Sequence, residues 1–212
     1  YKRFFSFYSY LSQLTFHDNE AYKKLVKLLN EFELLEKNTN NKIILKHIEG
    51  LLLGPVLVSL SMGNYIKTDT KNKFILSEEI NSLNKSFIIR LFEKFKFLID
   101  DKFTEKGMFF YKRSSAYGVT VSYMPLFTKM NTLLFGDTSN ILNRNEDKHE
   151  THVNRKMNVW GSGGAHKLYF KKIDEIIIEI FNRPIEKQPK GIADMGCGDG
   201  TLLIHLYKLI KE

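Results

Sequence analysis

The stretch Ile192-Ala193-Asp194-Met195-Gly196-Cys197-Gly198-Asp199-Gly200 constrains this chain more than any other. A short apolar run breaks into three alternate glycines and then passes into a helical pattern over residues 201–210. Lacking a Cβ, alternate glycines reach positive φ freely, so the segment predicts a strand-to-helix turn against which a ligand can lie closely. The helix start that follows offers unpaired N–H groups to a carboxylate. The spacing departs from G-x-G-x-x-G, which argues against a nicotinamide dinucleotide. The plainer alternative is a tight turn that binds nothing.

With 212 residues, 43% of them apolar, the chain can bury a core as one large or two small domains. The longest apolar runs, such as 51–60, are interrupted by Gly54, Pro55 and Ser59, so no membrane span or membrane partner is expected. The opening Tyr1-Lys2-Arg3-Phe4 lacks an initiator Met and a signal-peptide layout, as expected of a piece of something longer. One cysteine, Cys197, cannot form an internal disulfide and fits a reducing cytoplasm. A net charge of +8 favours an acidic partner, unless the cations are spread as surface solvation.

Leu25, Leu28, Leu29, Phe32 and Leu35 recur at helical spacing within 20–36. Residues 43–45 form a short β-like run. Residues 48–62 read as a buried helix, with Pro55 near its start. Tyr65-Ile66 and Phe74-Ile75-Leu76 flank a polar turn and predict a hairpin, so helices followed by a hairpin suggest a winged-helix unit. Residues 20–45 loosely repeat that plan, which would make two. A helix over 84–100 carries Phe87, Ile88, Leu91, Phe92, Phe95 and Leu98 on one stripe, and 124–135 predicts another. DNA recognition would need a helix rich in exposed cations, whereas 48–62 contains no Arg or Lys. Nucleic acid is therefore not the expected partner.

A second glycine-rich segment, Trp160-Gly161-Ser162-Gly163-Gly164-Ala165-His166, stands before a helical run whose apolar face is Ile173, Ile176, Ile177 and Ile180. As a flexible turn it would make a cofactor lid through Gly161 and Ser162, with Tyr169 stacking on a nucleoside and His166 titrating near neutrality. A helix-capping loop, with Ser162 near the cap and Trp160 in the core, explains it equally well. His149 and His152, three residues apart around Glu150, would share one side of a helical turn as metal ligands or acid/base groups, or would simply face solvent. The candidate catalytic bases are thus His149, His152 and His166.

The motifs 134–137 (Leu-Phe-Gly-Asp), 149–153 (His-Glu-Thr-His-Val), 158–166 and 194–200 together resemble the methyltransferase regions of bacterial polyketide synthases, including those of loading modules. The resemblance is firmest over 134–207. It implies S-adenosylmethionine (SAM) as cofactor, with Asp194 helping to order it and the backbone of Gly196, Cys197, Gly198 and Gly200 passing its amino-acid portion. It also implies transfer of a methyl group to carbon or oxygen of an acyl chain on an acyl carrier protein. A divalent metal serves in some such enzymes, though its ligands are not assignable here, and a winged-helix accessory domain allows a homodimer. The expected fold is mainly α with small β hairpins, winged-helix-like over 1–125. Lid and connecting helices follow over 126–190, and 191–212 opens a Rossmann-like class I methyltransferase domain. Only the first strand and helix of that domain's sheet of about seven strands fall within this sequence, so a whole cofactor pocket is not expected from it alone. The alternative is a non-enzymatic winged-helix module binding nucleic acid or an acidic carrier protein.

Overall fold

A computed structural model describes residues 2–198 and 200–211, with backbone alone for Lys2, Arg3, Phe5, Ser6, Ala165, Lys167, Leu168 and Lys171. Three helices lead: α1 (Lys2–Leu11), α2 (Asn19–Asn38) and α3 (Lys42–Met62). Asp18 caps α2 by accepting from Glu20 N, leaving Leu25, Leu28, Leu29 and Phe32 buried on one face as their spacing predicts.

The β-like run at 43–45 is instead the first turn of α3. Asn41 accepts from the N–H groups of Ile43 and Ile44, and such a cap outweighs the strand preference of two isoleucines. With no strand before α3 among the described residues, 20–45 does not repeat the helix-hairpin plan. Pro55 lies inside α3 rather than near its start. Gly54, Pro55 and Ser59 do not interrupt α3: it is one helix of 21 residues, with an 18-residue window of mean hydropathy 1.7, long and apolar enough to cross a membrane. In this fold it is the central core helix, burying Ile48, Leu52, Val56, Leu57 and Leu60.

Two antiparallel hairpins follow, alternating with helices: β1 (Ile66–Thr68) with β2 (Phe74–Leu76), then α4 (Ser82–Lys94), then β3 (Leu98–Ile99) with β4 (Lys102–Phe103). The first is the predicted hairpin. The second replaces the end of the helix expected over 84–100. Asp100 and Asp101 both take positive φ, 49° and 58°, as a two-residue hairpin turn demands. The hairpins join where Phe74 N donates to Asp101 O and Phe103 N to Asn72 O. Rings knit this region: Phe74 lies 5.6 Å from Phe92 and 5.2 Å from Phe103, and Phe97 stacks on Phe110 at 5.2 Å. Each such buried ring or leucine contributes about 1.5–3 kcal/mol. All six residues of the 84–100 stripe are buried.

The chain continues through α5 (Glu105–Lys112), α6 (Ser114–Ser122), α7 (Met124–Phe127) and α8 (Met130–Phe135). The single helix expected over 124–135 is thus broken at Thr128 and Lys129. A loop leads to α9 (Arg155–Phe181), and a short 3-10 turn (Ile185–Lys187) and the glycine turn lead to α10 (Thr201–Lys211). Residues 191–194 make no strand. An extended segment becomes one only by pairing with a neighbour, and among the described residues none pairs with it.

Candidate functional site

The three alternate glycines adopt the conformations that their spacing predicts: φ is +84° at Gly196, +61° at Gly198 and +76° at Gly200. Cys197 O accepts from Gly200 N at 2.9 Å, closing the turn, and Gly200 O accepts from Ile204 N as α10 begins. A Cβ on Gly196 or Gly200 would meet nothing within 4 Å, whereas one on Gly198 would touch Val159 of α9 at 3.7 Å. The turn therefore rests on α9 with open backbone beside it. Asp194 is half-buried and Cys197 exposed. Asp199 lies outside the described residues.

The 158–166 segment is neither a lid loop nor a capping loop. It forms the second and third turns of α9, whose cap is Asn154, accepting from Met157 N at 3.1 Å. Ser122 holds that cap, accepting from Asn154 N through its backbone and from Asn158 Nδ2 through its hydroxyl. Close approach explains the glycines. A Cβ on Gly161 would stand 2.8 Å from Val119 N and 3.0 Å from Ser115 O, and one on Gly164 2.5 Å from Ser115 Oγ. Gly118 likewise makes room for the Trp160 ring, at 3.0 Å. Helices α6 and α9 thus cross nearly backbone to backbone, and Gly161 belongs to that crossing rather than to a flexible cover. Ser162 is half-buried, and Tyr169 is 65% exposed, 6.3 Å from the His166 ring.

A cleft of about 610 Å³ opens where α9 and the first residue of α10 face the helix-and-hairpin region. Gly163, Gly164, Trp160 and Thr201 line one side, and Ser61, Asn64, Tyr111 and Ser115 the other. Ser61 Oγ is buried without a hydrogen-bond partner, so a polar group is wanted there. The glycine turn leads straight into this cleft through Thr201. Sequence reasoning missed its far wall, because nothing local announces that Ser61, Tyr111 and Ser115 meet α9.

The three candidate histidines occupy different settings. His149 lines a small basic cleft with Arg144, Lys148, Arg155 and Lys156. His152 is only 9% exposed, and its Nδ1 has no partner. The residues between α8 and α9 form no helical turn, so the expectation that 149 and 152 share one fails. His166 is exposed on α9, 6.4 Å from the Phe170 ring. Glu150 meets Arg155 through two bonds, 2.6 and 2.7 Å, and that guanidinium holds its carboxyl below the ordinary value. Among the described residues no group of three or more His, Cys, Asp or Glu stands ready to hold a metal ion.

The acid/base pair that the structure does bring together was not foreseen. His205 Nε2 of α10 meets Asp174 Oδ1 of α9 at 2.5 Å, and Phe170 stacks on the imidazole at 6.2 Å. Its signal in sequence is weak, since the partners lie 31 residues apart on different helices.

Residues 49–137 match the model of the AprA winged helix domain, and residues 150–212 match that of the AprA MT2-like domain. No curated protein matches the chain. The molecule therefore combines a winged-helix region with a methyltransferase-like region, and it is similar to the methyltransferase-associated part of AprA-type synthases.

Proposed function

We propose that the chain is part of a SAM-dependent methyltransferase acting on an acyl chain held by a carrier protein, of the kind found in polyketide synthases and their loading modules. The observation that carries this reading is the coincidence of three positive-φ glycines, open on one side, with the match of 150–212 to a methyltransferase-like domain.

The residues fit the cofactor. The backbone of Gly196, Gly198 and Gly200 would hold the amino-acid portion of SAM, where side chains would obstruct it, and the α10 start favours its carboxylate. Asp194, half-buried before the turn, would receive donors from it. Tyr111 and Trp160 supply rings, and Ser61 Oγ an unsatisfied polar atom, along the adjoining cleft. When bound, SAM supplies an electrophilic methyl group. The chain's own work is then positioning and proton removal. The Asp174–His205 pair is the candidate for the latter, the carboxylate fixing the orientation of the imidazole. His152 and His166 are the further candidates.

Arg144, Lys148, Arg155 and Lys156 outnumber Glu150 around one cleft at the head of α9, a surface suited to an acidic carrier protein. The winged-helix region is read as an accessory module, with a homodimer as its simplest assembly; a cytoplasmic site agrees with the single exposed thiol. The test is calorimetric titration of SAM into the native protein and into Asp194→Ala. Saturable heat that disappears in the variant supports the reading. Equal heat in both, or none in either, moves the winged-helix interaction module to the front.

A further inference from the structure

A larger cavity lies between α3 and the helices α5–α8, with Tyr8 of α1 at its edge. It measures about 880 Å³ and shares no lining residue with the cleft beside the glycine turn. Its size is at the upper end of the roughly 300–1,000 Å³ typical of small-molecule sites. Its wall is mostly apolar and includes Leu53, Leu57, Phe110, Val121, Met124 and Phe127.

Two glycines open onto this cavity. Gly50 and Gly54 stand four residues apart on α3, hence on one face, and both line the space. A Cβ on Gly50 would meet nothing within 4 Å, and one on Gly54 only Val121 Cγ2 at 3.9 Å. Glycine weakens a helix interior by about 1 kcal/mol relative to alanine. Here no close packing demands it, in contrast to Gly161 and Gly164.

Charge is gathered at one part of the lining. Lys46 and Lys106 both bond Glu49, at 2.6 and 2.8 Å, so two ammonium groups face one carboxylate. Glu49 is only 13% exposed while the Lys46 side chain, though bonded to it, is 70% exposed and accessible to an entering anion. An apolar hollow with surplus positive charge on its lining is complementary to an amphiphile with an aliphatic body and an anionic head.

We infer that the chain binds a medium-chain aliphatic carboxylate in the cavity onto which Gly50 and Gly54 open, with Lys46 and Lys106 receiving its head group. The site stands independently of the methyltransferase reading.

The test is calorimetric titration of dodecanoate, kept below its micelle concentration, into the native chain. The variants are Gly50→Leu/Gly54→Leu, which fills the hollow, and Lys46→Gln, which removes an exposed cation. The native chain should bind one dodecanoate, and the filled variant should bind at least about tenfold more weakly. Because leucine is the better helix former, that variant should also keep or raise its melting temperature, separating lost binding from lost folding. Lys46→Gln should weaken dodecanoate about threefold and leave dodecanol unchanged. Undiminished binding by the folded filled variant would overturn the proposal, as would the absence of saturable binding by the native chain. Phosphatidylglycerol vesicles bound equally by native and filled forms, with no binding of monomeric dodecanoate, would show that α3 serves a lipid surface and would overturn it too.

Discussion

The helix-and-hairpin region and the glycine-rich region that follows use their apolar residues in opposite ways. From α2 to α5, nearly every large apolar side chain on a helical stripe or hairpin face is buried, and the rings of Phe74, Phe92, Phe97, Phe103 and Phe110 contact one another in a chain. In α10 only Leu206 is buried, while Ile204 and Tyr207 face out; Ile176 and Ile178 of α9 do the same, and Met195 in the turn is 97% exposed. The first region is a scaffold that stabilises itself. The second is a surface, held to the scaffold by the α6–α9 crossing.

That contrast can be broken most forcefully at a ring. Phe92→Ala should cost about 3–5 kcal/mol in urea unfolding, since the side chain is fully enclosed, whereas Leu206→Ala should cost about 2 kcal/mol and raise amide exchange in α10 alone. A global loss from both would erase the distinction between the regions. The crossing that joins them comes next. Gly161→Ala places a Cβ against backbone atoms of α6 and should cost about 1–2 kcal/mol, even though alanine is the better helix former. Trp160, the sole tryptophan, sits at that crossing and should report the change as a shift in fluorescence.

A smaller effect sharpens the scaffold's electrostatics. Burial pushes the Glu49 carboxyl up, but hydrogen bonds from Lys106 and Lys46 outweigh it and hold the group below its ordinary value. The folded pKa being the lower, the stabilisation is complete above the unfolded value of about 4.3 and is lost as pH falls through the folded one. Glu49→Gln should therefore cost about 1 kcal/mol at pH 7, and the native advantage should be smaller at pH 3. Urea midpoints at the two pH values decide it. Asp194→Ala, at the other extreme, should leave the midpoint within about 0.5 kcal/mol while abolishing cofactor binding.

Much of the scaffold is legible in the sequence because its signals are local. The stripe of α2 follows an Asp cap, the β1–β2 hairpin has apolar arms around a polar turn, and the α4 stripe buries what its period says it must. The glycine turn is legible for the same reason, since only a backbone needing positive φ calls for three alternate glycines. What escapes is set by distant partners. Residues 158–166 look like a loop until Gly118 and Ser115 are known to lie against Gly161 and Gly164, and helix packing overrides a composition poor in helix formers. Asn41 decides that 43–45 is helical, and Asp100–Asp101 turns a hairpin without glycine. The Asp174–His205 pair and the far wall of the cleft depend wholly on how α9 meets its neighbours.

On the proposed reading the glycine turn, rather than the scaffold, binds SAM. Amide hydrogen exchange of the native protein with and without SAM tests it most directly. Slowed exchange is expected at 194–204, with little change across α2, α4 and the β3–β4 hairpin. Protection confined to the helix-and-hairpin region, or none anywhere at saturating SAM, would contradict it.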